Sequence, residues 1–189
     1  MKEEVRNKRE IARPLLILAI IFTLAFCGWG VVRIVKSVVM DINCTAYIKR
    51  AADASTVELA KTELKKAMDW AERNDLTEGI VSVFIKNPAN DVGFWYGNMR
   101  AAYEELDGLS EEATPLEKTN VLLKLRESLT DGGAENTSVT MPEGISVYPQ
   151  NVVYFWWGML SGVGMTIFWV VWGTMTGTIS AETIKKAKK

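Results

Sequence analysis

Residues 15–32, LLILAIIFTLAFCGWGVV, and residues 152–179, VVYFWWGMLSGVGMTIFWVVWGTMTGTI, decide the architecture, because neither run contains a charged side chain. At 1.5 Å per residue the first covers about 27 Å as a helix and the second about 42 Å, against a bilayer hydrocarbon core of about 30 Å. Both are long enough to cross. A chain of 189 residues with two such runs has room for one small domain between them. The expected fold class is all-α: two transmembrane helices flanking a small exoplasmic helical bundle. The expected divisions are a basic tail (1–13), a first span with its juxtamembrane extension (14–40), a helical domain (41–133), a connector (134–150), a second span (151–180) and a Lys-rich tail (181–189).

Charge is segregated along the chain although the net formal charge is only −1. Each tail carries a basic excess, whereas residues 41–150 hold 11 Lys and Arg against 19 Asp and Glu. Basic residues beside a span favour the cytoplasmic side. The prediction is a cell-membrane protein with both termini inside and the acidic domain exoplasmic. Arg13, Lys185 and Lys186 would anchor the inner interface. Trp156 and Trp157 would anchor the outer one, and Arg33 and Lys36, just past the first run, would snorkel to headgroups or open an extramembrane helix.

The first run is expected to be a retained anchor. Leu24-Ala25-Phe26-Cys27 places bulky Phe26 before the cysteine, and the apolar stretch continues beyond the length of a cleavable signal core. Cys27 falls inside this span and Cys44 beyond it, so they should not pair within one chain. Cys44 is expected to be a small free thiol, or to form an intermolecular disulfide if two copies meet in an oxidising compartment.

Helical spacing dominates the interior. Val57, Ala60, Leu64, Ala67, Met68 and Ala71 form one apolar face, with Ser55 and Glu58 matching a capping box and a break expected near 53–55. Ile80–Ile85 reads as a short helix or an extended packed segment ahead of Asn87-Pro88. Asp91 is a candidate cap for a helix burying Trp95, Met99, Ala102, Leu106 and Leu109. Thr114-Pro115-Leu116-Glu117 is a strong helix start, with Leu116, Leu122, Leu123, Leu125 and Leu129 as its expected buried set and Asp131-Gly132-Gly133 as its end. Helices of this length need one another's apolar faces, so a small antiparallel bundle is expected.

The sequence has no histidine, which removes imidazole as a base, a metal ligand or a neutral-pH sensor. No phosphate loop, nucleophile elbow or Cys-x-x-Cys pair is present. The expectation is a non-enzymatic protein with no catalytic residues, metal or cofactor. The basic tails sit beside spans, so their partner should be the lipid bilayer rather than nucleic acid. Asn43-Cys-Thr45 and Asn136-Thr-Ser138 match the glycosylation pattern, which matters only in a eukaryotic source.

Two clusters stand out. Phe94-Trp95-Tyr96 cannot all lie on one helix stripe, so at least one ring should reach a second surface, with Trp70 as a neighbour. These four residues form an expected ligand or partner surface. In the second span Gly158 and Gly162, and Gly173 and Gly177, match Gly-xxx-Gly; with Ser161 they form a small-residue face for close helix contact with the first span, another copy or another membrane protein.

The layout of span, helical domain and span resembles the input half of bacterial transmembrane receptors, but only about ten residues follow the second span. That resemblance implies output through a partner. The primary expectation is an accessory or scaffold subunit of a membrane complex, acting through its second span and helical domain. The alternative is an exoplasmic small-ligand sensing module. A holin-like membrane-perturbing role fits less well, because the domain is large and its helices are well capped.

Overall fold

The computed structural model describes residues 2–132 and 137–187. The helices are α1 (Lys2–Met40), α2 (Ala46–Ala52), α3 (Val57–Arg73), α4 (Val92–Asp107), α5 (Pro115–Leu129) and α6 (Asn151–Ala187), with a π-helical turn at Asp41–Thr45 between α1 and α2. A two-stranded antiparallel hairpin, β1 (Thr130–Gly132) and β2 (Thr137–Val139), pairs Thr130 with Val139. The fold is mostly helical, as expected, with this hairpin as an addition. Two helices are long and apolar enough to cross a membrane. The chain divides into two compact units, one formed by the first 32 residues with those from Val152 onward, the other by Arg33–Asn151.

In the first unit α1 and α6 run antiparallel. The residues of α6 that turn inward include Tyr154, Gly158, Ser161, Met165, Phe168 and Trp172, at steps of four and three, with Gly162 and Gly164 beside them. That spacing keeps one narrow seam against a single neighbouring helix. Ser161 satisfies its hydroxyl by donating to the Trp157 carbonyl at 2.6 Å, so burying it leaves no orphan donor.

The second unit is built from α2–α5 around one apolar core. Met40, Cys44, Ile48 and Ala51 supply one face, and Ala60, Leu64, Ala67 and Ala71 another; Val92, Met99 and Leu106 come from α4, and Leu125 and Leu129 from α5. A π-turn takes in one more residue than an α-turn. This is how Met40, Cys44 and Ile48, four residues apart, stay on the same buried face. Helix starts follow their side-chain caps. The Asp91 carboxylate accepts from Phe94 N at 3.0 Å. Thr114 and Glu117 form a reciprocal capping box, and the hydrogen bonds from Thr114 hold the Glu117 carboxyl below its usual range.

Several local expectations are corrected. The α3 cap is Thr56, whose hydroxyl accepts from Leu59 N, so Ser55 and Glu58 form no capping box. Of the two expectations for residues 80–85, the helix is absent and the extended packed segment holds at its start, where Ile80 bridges Asp91 and Val81 is buried, while Phe84 and Ile85 face outward at 69% and 79% exposure. On α5, Leu125 and Leu129 are buried and Leu122 is partly buried against the core, but Leu116 in the first turn and Leu123 on the outward face are exposed. Asp131 and Gly132 belong to β1 rather than to a helix end. The segment read as a connector is part of the second unit: Ile145 and Val147 are buried, and the Tyr148 hydroxyl donates to the Glu78 carbonyl at 2.9 Å.

Cys44 is completely buried, with its thiol directed at the Ala67 carbonyl. The expectation of an intermolecular disulfide therefore has no accessible sulfur behind it. A thiol shielded by an apolar core is inert. In a Cys27→Ser background, a water-soluble maleimide at pH 7 should leave Cys44 unmodified in the native chain and label it fully in guanidinium, as read by mass spectrometry of the peptide. Rapid native labelling would mean that the core opens at the α2–α3 contact.

Candidate functional site: a groove between α4, α5 and the hairpin

The second unit contains a cavity of about 670 Å³. Phe94 and Trp95 of α4, Leu129 of α5, and Val139 and Met141 on the hairpin side form its apolar walls. Pro88 and Pro142 also line it, and Asp91, Asn98, Ser128, Asp131, Ser138 and Thr140 supply polar atoms. A second hollow of about 160 Å³ adjoins it between α4 and α5, sharing Asn98 and Ser128.

Local sequence explains this placement. Asn87 caps the Pro88–Asn90 turn by accepting from Ala89 N at 3.1 Å, and the next residue, Asp91, caps α4. Two consecutive caps fix where α4 starts, and so which way residues 94–96 point. Successive helical residues are about 100° apart. Phe94 accordingly stands outward on the groove rim at 68% exposure, while Trp95 turns inward at 6% and forms the groove floor. Tyr96 faces α3, where its phenol donates to the Glu72 carboxylate. Burial, reinforced by that hydrogen bond, pushes the phenol pKa up to about 12. The far wall depends on α5 ending at Leu129, after which β1 and β2 carry Asp131, Ser138 and Val139 to the groove.

The four aromatic residues singled out in the sequence are thus divided. Phe94 and Trp95 line the groove; Tyr96 locks α4 to α3, and Trp70 packs half-buried on the core away from the cavity. Sequence reading missed Asn98, Leu129, Asp131, Val139 and Met141. Helical spacing marks Leu129 as core, but nothing local in the sequence brings Met141 to Trp95.

The small-residue face of α6 lies against α1 of the same chain. A Cβ on Gly158 would stand 2.5 Å from Trp29 Cε2, one on Gly162 would stand 3.2 Å from Phe26 Cε2, and one on Gly164 would run into the Phe22 ring. Phe22, Phe26 and Trp29 form an aromatic ladder at steps of four and three, seated on these glycines. Indole donors lace the pair: Trp29 Nε1 to the Tyr154 carbonyl at 2.7 Å, Trp157 Nε1 to the Ala25 carbonyl at 3.1 Å, and Trp169 Nε1 to Thr23 Oγ1 at 2.9 Å. Trp157 therefore serves the helix contact through its indole N–H, although it and Trp156 are both exposed. Gly173 and Gly177 meet nothing within 4 Å, so the second Gly-xxx-Gly pair takes no part in the contact. Arg13 and Arg33 are exposed and Lys36 is half-exposed. The side chains of Lys185 and Lys186 lie outside the described residues, as does Asn136. Asn43 sits in the π-turn, its amide donating to the Val39 carbonyl at 2.8 Å.

No group of three or more Cys, Asp or Glu side chains positioned to hold a metal occurs among the described residues. No protein-family description, curated protein or solved structure matches the chain. The functional reading therefore rests on the groove and the helix pair alone.

Proposed function

We propose that this is a two-pass protein of the cell membrane, with both tails cytoplasmic, whose central domain lies on the exoplasmic side and binds a small organic ligand in the α4–α5–hairpin groove. The groove carries this reading. Small-molecule sites are concave and mostly apolar, with a few convergent polar groups and volumes of roughly 300–1,000 Å³, and a cavity of about 670 Å³ floored by Trp95 fits that description. Its walls also reach the helix that continues from the first span. The α2 helix packs on both α5 and β2, so an occupant would load the segment that leads through the π-turn into α1. The basic tails support the orientation. The role is one of binding rather than catalysis, with the signal passed to a partner protein.

One observation favours the accessory-subunit reading beside it. Ile34, Val38 and Ile42 repeat at every fourth position just past the first span and are 66%, 48% and 62% exposed. An apolar stripe of that kind suits contact with another membrane protein or with lipid.

The test of ligand binding uses the full chain in lipid nanodiscs with 5-fluorotryptophan incorporated. The Trp95 resonance is assigned by Trp95→Phe, and the chain is titrated with neutral, anionic and cationic aromatic compounds of about the size of indole derivatives. At least one class should shift the Trp95 resonance, and the mouth-filling variant Ala89→Trp should abolish the shift. If no compound moves that resonance, or if Ala89→Trp leaves binding intact, the groove is not the ligand site.

A further inference from the structure

We infer that the ligand of this groove is a cationic amphiphile, a small organic amine with an aromatic or aliphatic body. This rests on the reading of the groove as a ligand site and goes beyond it by fixing the charge. Asp91 at the start of α4 and Asp131 of β1 bring two carboxylates to the cavity, and among the described residues no Lys or Arg lines it. The carboxylates of the second unit that form ion pairs do so elsewhere: Glu63 with Arg50 and Lys66, Glu104 with Arg100, Glu105 with Lys124, and Asp107 with Lys61. Among the described residues neither Asp91 nor Asp131 has a cationic partner. Asp91 Oδ1 accepts from the Phe94 N–H at 3.0 Å, which fixes the carboxylate at the first turn of α4. An ammonium group entering the groove would gain charge-assisted hydrogen bonds from these acids and could stack its charge on an aromatic face. The rest of the molecule would lie on Trp95, Leu129 and Met141. An anion would gain none of this and would be repelled by both carboxylates.

The surrounding field points the same way. The domain's acidic excess of 19 Asp and Glu over 11 Lys and Arg raises the local concentration of cations over anions at the groove mouth.

The experiment titrates the full chain in nanodiscs of zwitterionic lipid with tryptamine, with its neutral isostere tryptophol and with the anion indole-3-acetate. Tryptamine should bind at least tenfold more tightly than tryptophol, and indole-3-acetate should bind least. Asp91→Asn with Asp131→Asn should abolish the tenfold preference while leaving tryptophol unchanged. Asparagine also caps helices well, so α4 keeps its start and the variant reports charge rather than unfolding; unchanged circular dichroism verifies this. Equal binding of tryptamine and tryptophol, or preference for the anion, overturns the cationic inference while leaving the groove as a ligand site. Retention of the preference in the double variant overturns the assignment to these two acids. Absence of any Trp95 response to all three compounds, together with a silent wider panel, overturns both readings.

Discussion

Replacing Gly158 and Gly164 by leucine should separate α1 from α6 and lower the thermal midpoint of the full chain in mild detergent by more than any other change on the second span. In the membrane setting proposed above, lipid tails are as apolar as the side chains, so close packing and interhelical hydrogen bonds would hold the pair. Both depend on these glycines. A Cβ at Gly158 would overlap the Trp29 indole, whose Nε1 donates to the Tyr154 carbonyl, and a Cβ at Gly164 would overlap the Phe22 ring, which stacks on Phe168 at 5.3 Å. Overpacking costs about 1–3 kcal/mol per site, and losing the indole bond between the two helices adds to it. Gly173→Leu with Gly177→Leu is the internal control: neither Cβ would meet anything within 4 Å, so the midpoint should hold. Phe22→Ala should restore part of the stability lost in Gly164→Leu. Equal damage from the two glycine pairs would falsify the seam.

That contrast also shows how far the sequence could be read. Gly158-xxx-Gly162 and Gly173-xxx-Gly177 match the same pattern, yet only the first lies opposite large rings. Which glycines are used depends on the register of α6 against Phe22, Phe26 and Trp29, and register is a property of two helices together. The two helices long and apolar enough to cross a membrane were legible because charge is excluded over 18 and 28 residues. The starts of α4 and α5 were legible because Asp91 and Thr114 act on amide groups three residues away. What stayed hidden was long-range. The groove needs residues 94–98 beside residues 129–142, and the hairpin that brings them together consists of two three-residue strands with no alternating apolar pattern to announce them. The packing within the ordered or semi-ordered connector expected at 134–150 was hidden for the same reason: its Pro and Gly residues are turn signals, and nothing local shows that Ile145, Val147 and Tyr148 pack on the core.

Gly79→Ala should be the most damaging single methyl in the second unit, costing about 3 kcal/mol in guanidinium unfolding followed by circular dichroism. Two separate effects contribute. Gly79 has φ of +99°, a region that side-chain-bearing residues occupy at a cost of about 1–3 kcal/mol. Its added Cβ would also stand 3.0 Å from Tyr148 Cζ and closer still to the phenol oxygen. That oxygen donates to the Glu78 carbonyl, and the Gly79 carbonyl accepts from Val92 N at 2.8 Å. One small residue therefore lets the tyrosine clip reach the loop that sets the start of α4, and with it the placement of Phe94 and Trp95. Gly144→Ala separates the two effects. Its φ is +80°, but its nearest neighbour would be Val81 Cγ1 at 3.4 Å, an ordinary contact; it should lose only the backbone part, about 1–2 kcal/mol. Combining Gly79→Ala with Tyr148→Ala should be less destabilising than the sum of the two single changes, because the clash is counted once and then removed. Strict additivity would show that the ring yields freely and that φ alone demands glycine. The expected non-additivity instead identifies the Tyr148–Glu78 clip as the contact that ties the chain ahead of α6 to the groove-forming end of α4.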